Sequence, residues 1–323
     1  MIKDKRIFIT GGAGFIGKTL VEKLYENNRI LIYDNLSRNS IKDFKYKNHS
    51  NISIIQGDIL DYDNLRKTLE EFKPQIVLHL AAIAGVDTVT MNPLKTMKVN
   101  IIGTYNVLEA LIDIRDNLER IIEISTSEVF GSYSYKSDEK QTTNLAPVGE
   151  ARWTYSVSKL AGEHLSHSYY KELNYPIVTV RPFNVYGPGQ VGEGAIHQFV
   201  KRAIRDEEIQ IHGEGDQIRS WCYIDDFVNG VLLCLEDKKA IGNVFNIGNP
   251  RGTITIGMLA ELTKRISNSK SDIKYVPKNY VDVELRIPSI DKAKDILGFE
   301  PMVDLNEGLS KTIEWYREKM HNE

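Results

Sequence analysis

Thr10-Gly11-Gly12-Ala13-Gly14-Phe15-Ile16-Gly17 follows the β-branched run Arg6-Ile7-Phe8-Ile9 and opens an amphipathic stretch reaching Asn27. Glycines at this spacing between a strand and a helix make a turn whose bare backbone lets a pyrophosphate approach the amides at the positive helix end. Working outward, β-rich windows at 6–10, 29–33, 52–56, 76–80, 121–125 and 177–181 alternate with helical periodicity at 15–27, 61–72, 94–114 and 155–173. That alternation predicts an α/β protein with a doubly wound parallel sheet covered by helices on both faces.

Beyond residue 181 the texture changes. A Gly- and Pro-rich segment at 182–194 leads to helical patterns near 195–205, 225–235 and 305–319, with short mixed elements between them. We read residues 1–181 as a dinucleotide-binding domain, with 222–250 packing back onto it. Residues 182–323 form a smaller mixed α/β substrate-binding lobe.

The chain has 323 residues, with 41 Lys+Arg against 44 Asp+Glu and a net charge of -3. No whole-protein field gathers polyanions, so nucleic acid is not an expected partner. Cys222 and Cys234 are too few for a disulfide framework and lack zinc spacing, which fits a reducing compartment. His79, His164, His167, His197 and His212 are scattered without ligand spacing, so no metal is expected. The most apolar stretch, 76–86, falls short of the roughly 20 residues that cross a bilayer. No apolar run of signal-peptide length precedes Gly11. A cytoplasmic protein without membrane contact is expected.

Asp34 ends the second strand window about 20 residues after the turn, where a carboxylate accepts ribose hydroxyls and repels a 2'-phosphate. This favours NAD over NADP, with nearby Arg38 as the residue that could accommodate the extra phosphate. Asp58 follows the third window, placed to meet adenine or to cap the helix that starts near Asp61. Leu80-Ala81-Ala82 ends the fourth with small groups beside the dinucleotide path. Tyr155 and Lys159, four apart on a helix, share one face. An ammonium beside a phenol lowers its pKa from about 10, giving a base that takes a hydroxyl proton as hydride leaves the same carbon.

These segments, with Ser125 to Gly131, Asn100-Ile101-Ile102-Gly103-Thr104, Arg181 to Pro188 and Arg219 to Asp226, resemble the extended short-chain dehydrogenase/reductase family. That family comprises NAD-dependent epimerases and dehydratases of nucleotide sugars. The resemblance covers nearly the whole chain and implies a Rossmann-type sheet with NAD as cofactor. It implies a cofactor site of Gly11, Gly14, Phe15, Ile16, Gly17, Asp34, Asn35, Asp58, Ile59, Leu80, Ala81, Ala82, Asn100 and Ser125, with Tyr155 and Lys159 at the nicotinamide end. It further implies Tyr155 as base toward the sugar 4-hydroxyl, Thr126 bonded to that oxygen, and Lys159 on the nicotinamide ribose. Asn184 and Arg219 fall on positions that contact the nucleotide diphosphate. Helices 94–114 and 155–173 pair into a four-helix bundle in relatives, so a homodimer is implied.

Thr126-Ser127-Glu128 stands where 4,6-dehydratases usually carry Thr-Asp-Glu, so the acid for a leaving hydroxyl is missing. The triplet, Arg152 to Lys159 and Asp282 to Ile290 are similar to UDP-glucuronate decarboxylases. In that resemblance Arg286 holds the sugar carboxylate or protonates the enolate, while Ser127 and Glu128 position the sugar. The product is then a UDP-4-keto-pentose or UDP-xylose. Arg286 also fits a diphosphate clamp, Glu128 a cap on backbone amides and Ser127 a packing residue. A 4,6-dehydratase, a 4-epimerase and a non-catalytic NAD-binding protein are the alternatives.

Overall fold

The computed structural model describes residues 2–42, 44–145, 147–278 and 281–321. Ile7, Phe8 and Ile9 of β1 (Arg6–Thr10) have no exposure at all. Successive side chains point to opposite faces, so this strand is covered on both sides. Ile7 and Ile9 join the core containing Leu20 and Phe227, while Phe8 joins the one containing Leu65, Leu69 and Val107.

The other strands of this sheet are β2 (Arg29–Asp34), β3 (Ile52–Gln56), β4 (Ile76–His79), β5 (Arg120–Ile124), β6 (Ile177–Pro182) and β7 (Val244–Ile247). Among the described residues they make a seven-stranded sheet ordered β3-β2-β1-β4-β5-β6-β7, with every neighbouring pair parallel. The order reverses between β1 and β4, which opens a crevice beyond the carboxyl ends of those strands. β7 was not among the six expected strands, because Val244-Phe245-Asn246-Ile247 is too short to carry a periodic signal of its own.

The expected single helix at 94–114 is interrupted. It comprises a helix Pro93–Met97, a wider π-helical turn Lys98–Ile102, a helix Gly103–Glu109 and a 3-10 turn Ile112–Asn117. The π-turn carries Asn100, whose side chain accepts from Ile83 N at 2.8 Å and donates to Ile83 O at 3.0 Å and Ser158 Oγ at 2.9 Å. Three tertiary hydrogen bonds at one residue outweigh the regularity of the helix.

Strands Thr253–Thr255, Ile218–Ser220 and Leu285–Pro288 form a mixed sheet in that order with Tyr133–Ser137, a segment from within the expected 1–181 domain. Helices Ala195–Ala203, Ile256–Ile266 and Leu305–His321 pack against one another beside it. Among the described residues no helix is long and apolar enough to cross a membrane.

Candidate active site

Gly11 sits at φ +68°, and a Cβ there would lie 2.6 Å from the Ala81 amide nitrogen. A Cβ on Gly17 would come equally close to Gly12 Cα, so the first helix seats directly on the turn. Asp34 ties the ribose end to this turn: its carboxylate accepts from Ala13 N at 3.0 Å and Leu36 N at 2.7 Å. Burial holds that carboxyl above its ordinary range, and the two amides oppose the rise.

A cavity of about 410 Å³ is lined by Gly11, Gly14, Asp34, Asn35, Asp58, Ile59 and Leu80-Ala81-Ala82. The cradle that a Cβ would fill, with a carboxylate at its far end, fits a dinucleotide. Phe15 and Ile16 pack toward the core instead of lining the cavity. Asn100 braces the Ile83 segment, and Ser125 is fully buried, donating to Glu163 Oε1 at 2.5 Å. The cap of helix Tyr62–Phe72 is Asp61, which leaves Asp58 at the cavity. Arg38 donates to Ala84 O at 2.7 Å and to Thr88 Oγ1 at 3.1 Å, so its guanidinium is engaged within the chain.

Thr126, two residues past the end of β5, caps the turn Ser127–Phe130, its hydroxyl accepting from Glu128 N at 3.2 Å. Tyr155, in helix Thr154–Leu173, lies close enough to Thr126 for that hydroxyl to favour its phenolate. The phenol is held above its ordinary range by burial and by the charge of Glu128, with the Thr126 hydroxyl opposing the shift. The expected lysine effect is thus not what the structure displays. Lys159, almost completely buried, pairs with Glu123 Oε1 at 3.4 Å, because Glu123 projects from mid-β5 and meets the ammonium first.

Glu128 meets Arg152 in a two-pronged pair at 2.6 and 2.9 Å, accepts from Ser156 Oγ at 3.2 Å, and lies 3.9 Å from Arg286 Nη1. Burial raises its carboxyl, but Arg152 and Arg286 outweigh that and hold it below the usual carboxylate range. Arg286 donates to Gly131 O, while its Nε is buried without a hydrogen-bond partner. Burial pushes its guanidinium down to about 9. Arg219 donates to Val283 O at 2.5 Å and lies 3.5 Å from Asp282. Asn184 donates to Ser220 O at 3.0 Å. Glu128, Arg152, Asn184, Arg219, Asp282 and Arg286 all line one cleft of about 540 Å³. Ile83 and Thr88 line the first cavity and Val86 and Asp87 the second, so one short segment runs between the two. Ser127 is buried and does not line the cleft.

Two participants were missed. Arg152, three positions before Tyr155, had a place in a matching stretch but no role, since nothing in local spacing reveals its carboxylate partner. Glu123 left a visible signal: it is the charged residue inside Ile121-Ile122-Glu123-Ile124, an otherwise apolar strand.

A parallel sheet with a glycine cradle at its switch point and a second, charged cleft alongside defines a dinucleotide-binding α/β protein with a separate ligand site. Residues 7–248 match the model of the NAD dependent epimerase/dehydratase family, and the chain belongs to that family. It is an enzyme of this family, and NAD is its cofactor. It is 36% identical to a UDP-glucuronic acid decarboxylase of Arabidopsis thaliana over 97% of this chain and 90% of the relative. It is 34% identical to the dTDP-D-glucose 4,6-dehydratase of Homo sapiens over 98% of this chain and 91% of that protein. Among solved structures it resembles the UDP-glucuronic acid 4-epimerase of Bacillus cereus in complex with UDP-glucuronic acid and NAD. That likeness has a TM-score of 0.87 and 32% identity, covering 97% of this chain and 99% of that one.

Proposed function

We propose that the protein oxidises carbon 4 of a UDP-linked glucuronate and decarboxylates the resulting ketone. Residues 1–181, with 222–250, carry NAD, and residues 182–323 carry the nucleotide sugar together with Glu128 and Arg152 from the first domain. NAD, when bound, supplies the hydride acceptor. Tyr155 takes the 4-hydroxyl proton while Thr126 bonds the same oxygen and Lys159 reaches the nicotinamide ribose. The ketone makes the sugar carboxylate that of a β-keto acid, which loses carbon dioxide once the developing enolate charge is stabilised. Arg286 is the group for that charge.

One observation carries this reading. Arg152 already holds Glu128 in a two-pronged pair, and the Arg286 guanidinium, 3.9 Å from that carboxylate, lines the same cleft. A second carboxylate, that of the substrate, answers it. Water elimination is disfavoured because Ser127 offers no acid in place of aspartic acid. Asn184 and Arg219 hold the diphosphate.

A uronate 4-epimerase makes the same ketone but keeps the carboxylate, and the structural likeness to one favours it as the second reading. The test mixes protein, NAD and UDP-glucuronate and follows carbon dioxide release with the sugar product. Carbon dioxide with a pentose product is the expected outcome. Conversion to UDP-galacturonate without gas assigns the epimerase, and turnover of UDP-hexoses alone overturns both.

We also propose a homodimer through helices Pro93–Met97, Gly103–Glu109 and Thr154–Leu173. Leu94, 82% exposed, joins exposed Ile102, Tyr105 and Val157 on these elements. A Leu94→Glu variant that elutes at monomer mass supports the pairing, and wild-type protein at monomer mass refutes it.

A further inference from the structure

Glu123 lies in the middle of β5, a strand of which every residue is buried. A carboxylate in such a place is costly unless it has a partner, and Lys159 supplies one. Glu123 is 1% exposed and Lys159 3% exposed, with Oε1 and Nζ 3.4 Å apart. Around the pair stand further ionisable groups. His79 is the register partner of Glu123 on β4, and it is taken up on both ring nitrogens by Thr10 at 2.7 Å and Thr104 at 3.0 Å. Glu163 and Tyr155 come from helix Thr154–Leu173, and Arg181 from β6. Arg181 is committed to Glu163 in a two-pronged pair at 2.8 and 2.7 Å. That leaves Glu123 as the carboxylate for Lys159, and its second oxygen, Oε2, is buried without a partner.

We propose that Glu123 is a positioning residue: it anchors the Lys159 ammonium one helical turn from Tyr155, and its negative charge sets the pH range in which the Tyr155–Lys159 pair works. This rests on the reading of Tyr155 as the base. A negative charge raises the pKa of every neighbour that can hold a proton, phenol and ammonium alike. Glu123 raises the Tyr155 phenol in this way, and its own carboxyl is pushed up to about 7, chiefly by burial, with Lys159 opposing. That charge is present above about pH 7, so removing it moves the alkaline limb of the activity profile toward acid and leaves the acid limb, where the carboxyl is already protonated, in place. A residue that merely fills space has no such effect.

The test is the pH profile of single-turnover NADH formation by the NAD-loaded enzyme with UDP-glucuronate, for wild type, Glu123→Gln and Glu123→Asp. Glu123→Gln keeps the shape and loses the charge, so the alkaline limb is expected to move to lower pH by about one pH unit while the acid limb stays. Glu123→Asp keeps the charge but draws it back by a methylene. Its limbs are expected to stay in place while the rate falls about tenfold, as a loosened ammonium demands. A folded, NAD-binding Glu123→Gln whose limbs coincide with wild type overturns the proposal, as does a uniform loss of rate with no shift. If Glu123→Gln fails to fold, Glu123→Asp decides: limbs displaced despite the retained charge overturn it, and limbs held in place support it. Full rate in Tyr155→Phe would instead sink the assignment of the base, so the two failures are told apart.

Discussion

The cofactor crevice and the substrate cleft are neighbours built on opposite principles. In the crevice, the decisive feature at Gly11 is the absence of a side chain, and the groups around it come in short contiguous words such as 10–17, 34–35, 58–59 and 80–82. In the cleft, the decisive features are the charged side chains of Glu128, Arg152, Arg219, Asp282 and Arg286, with the amide of Asn184, spread over more than 150 residues. The crevice binds with backbone and so is specified locally. The cleft binds with ion pairs, so the identity of each residue means little until its partner is known.

The sharpest attempt to break this contrast is Tyr155→Phe, which removes one oxygen, that of the proposed base, from helix Thr154–Leu173. Turnover should fall at least about a hundredfold while NAD affinity stays near wild type, read by fluorescence titration. A parallel loss of NAD affinity would mean that the two cavities are not separable. Gly11→Ala probes the crevice alone. A side chain at φ +68° facing Ala81 should cost roughly 1–3 kcal/mol in thermal unfolding and weaken NAD, leaving carbon dioxide release per bound NAD unchanged. An unaltered unfolding curve would break the claim that bare backbone is what matters there.

The floor beneath both cavities is tested by pH. Burial, assisted by Lys159, pushes His79 down to about 3 from its ordinary 6.5. The unfolded chain therefore takes up a proton below about pH 6.5 that the folded chain refuses until about 3, and stability is lost as pH falls through that window. Glu123 has the opposite sign: its raised carboxyl contributes stability that is lost as pH rises from 4.5 to about 7. Denaturant unfolding of wild type and His79→Gln should give a stability difference that shrinks, on the order of 1–2 kcal/mol, between pH 6.5 and 5. A difference that is flat with pH would refute the buried neutral histidine. Smallest is the effect of Asp34→Ser, which should narrow the preference for NAD over NADP by severalfold. Arg38, bound to Ala84 and Thr88, is not free to turn the preference over.

Much of the first half was readable because a strand such as Ile7-Phe8-Ile9 or a turn such as 10–17 is stabilised by neighbours in sequence. Helix 94–114 was not, since Asn100 exchanged helical regularity for bonds to Ile83 and Ser158, residues 17 and 58 positions away. β7 escaped because four residues acquire meaning only beside β6. Lys159 is the instructive case at the site. Its spacing from Tyr155 was visible, but its nearest charge proved to be Glu123, 36 positions earlier.

The sequence by itself determined the α/β class, the strand-turn-helix that cradles the dinucleotide, and the helix face shared by Tyr155 and Lys159. Those depend on backbone freedom and on periodicities of two and 3.6, which act over a few residues. Only the tertiary structure decided that Arg152 holds Glu128, that Arg286 lines the same cleft as Glu128, and that Glu123 lies against Lys159. Charge pairing in a buried place depends on distance through space, and the fold alone converts separation along the chain into ångströms.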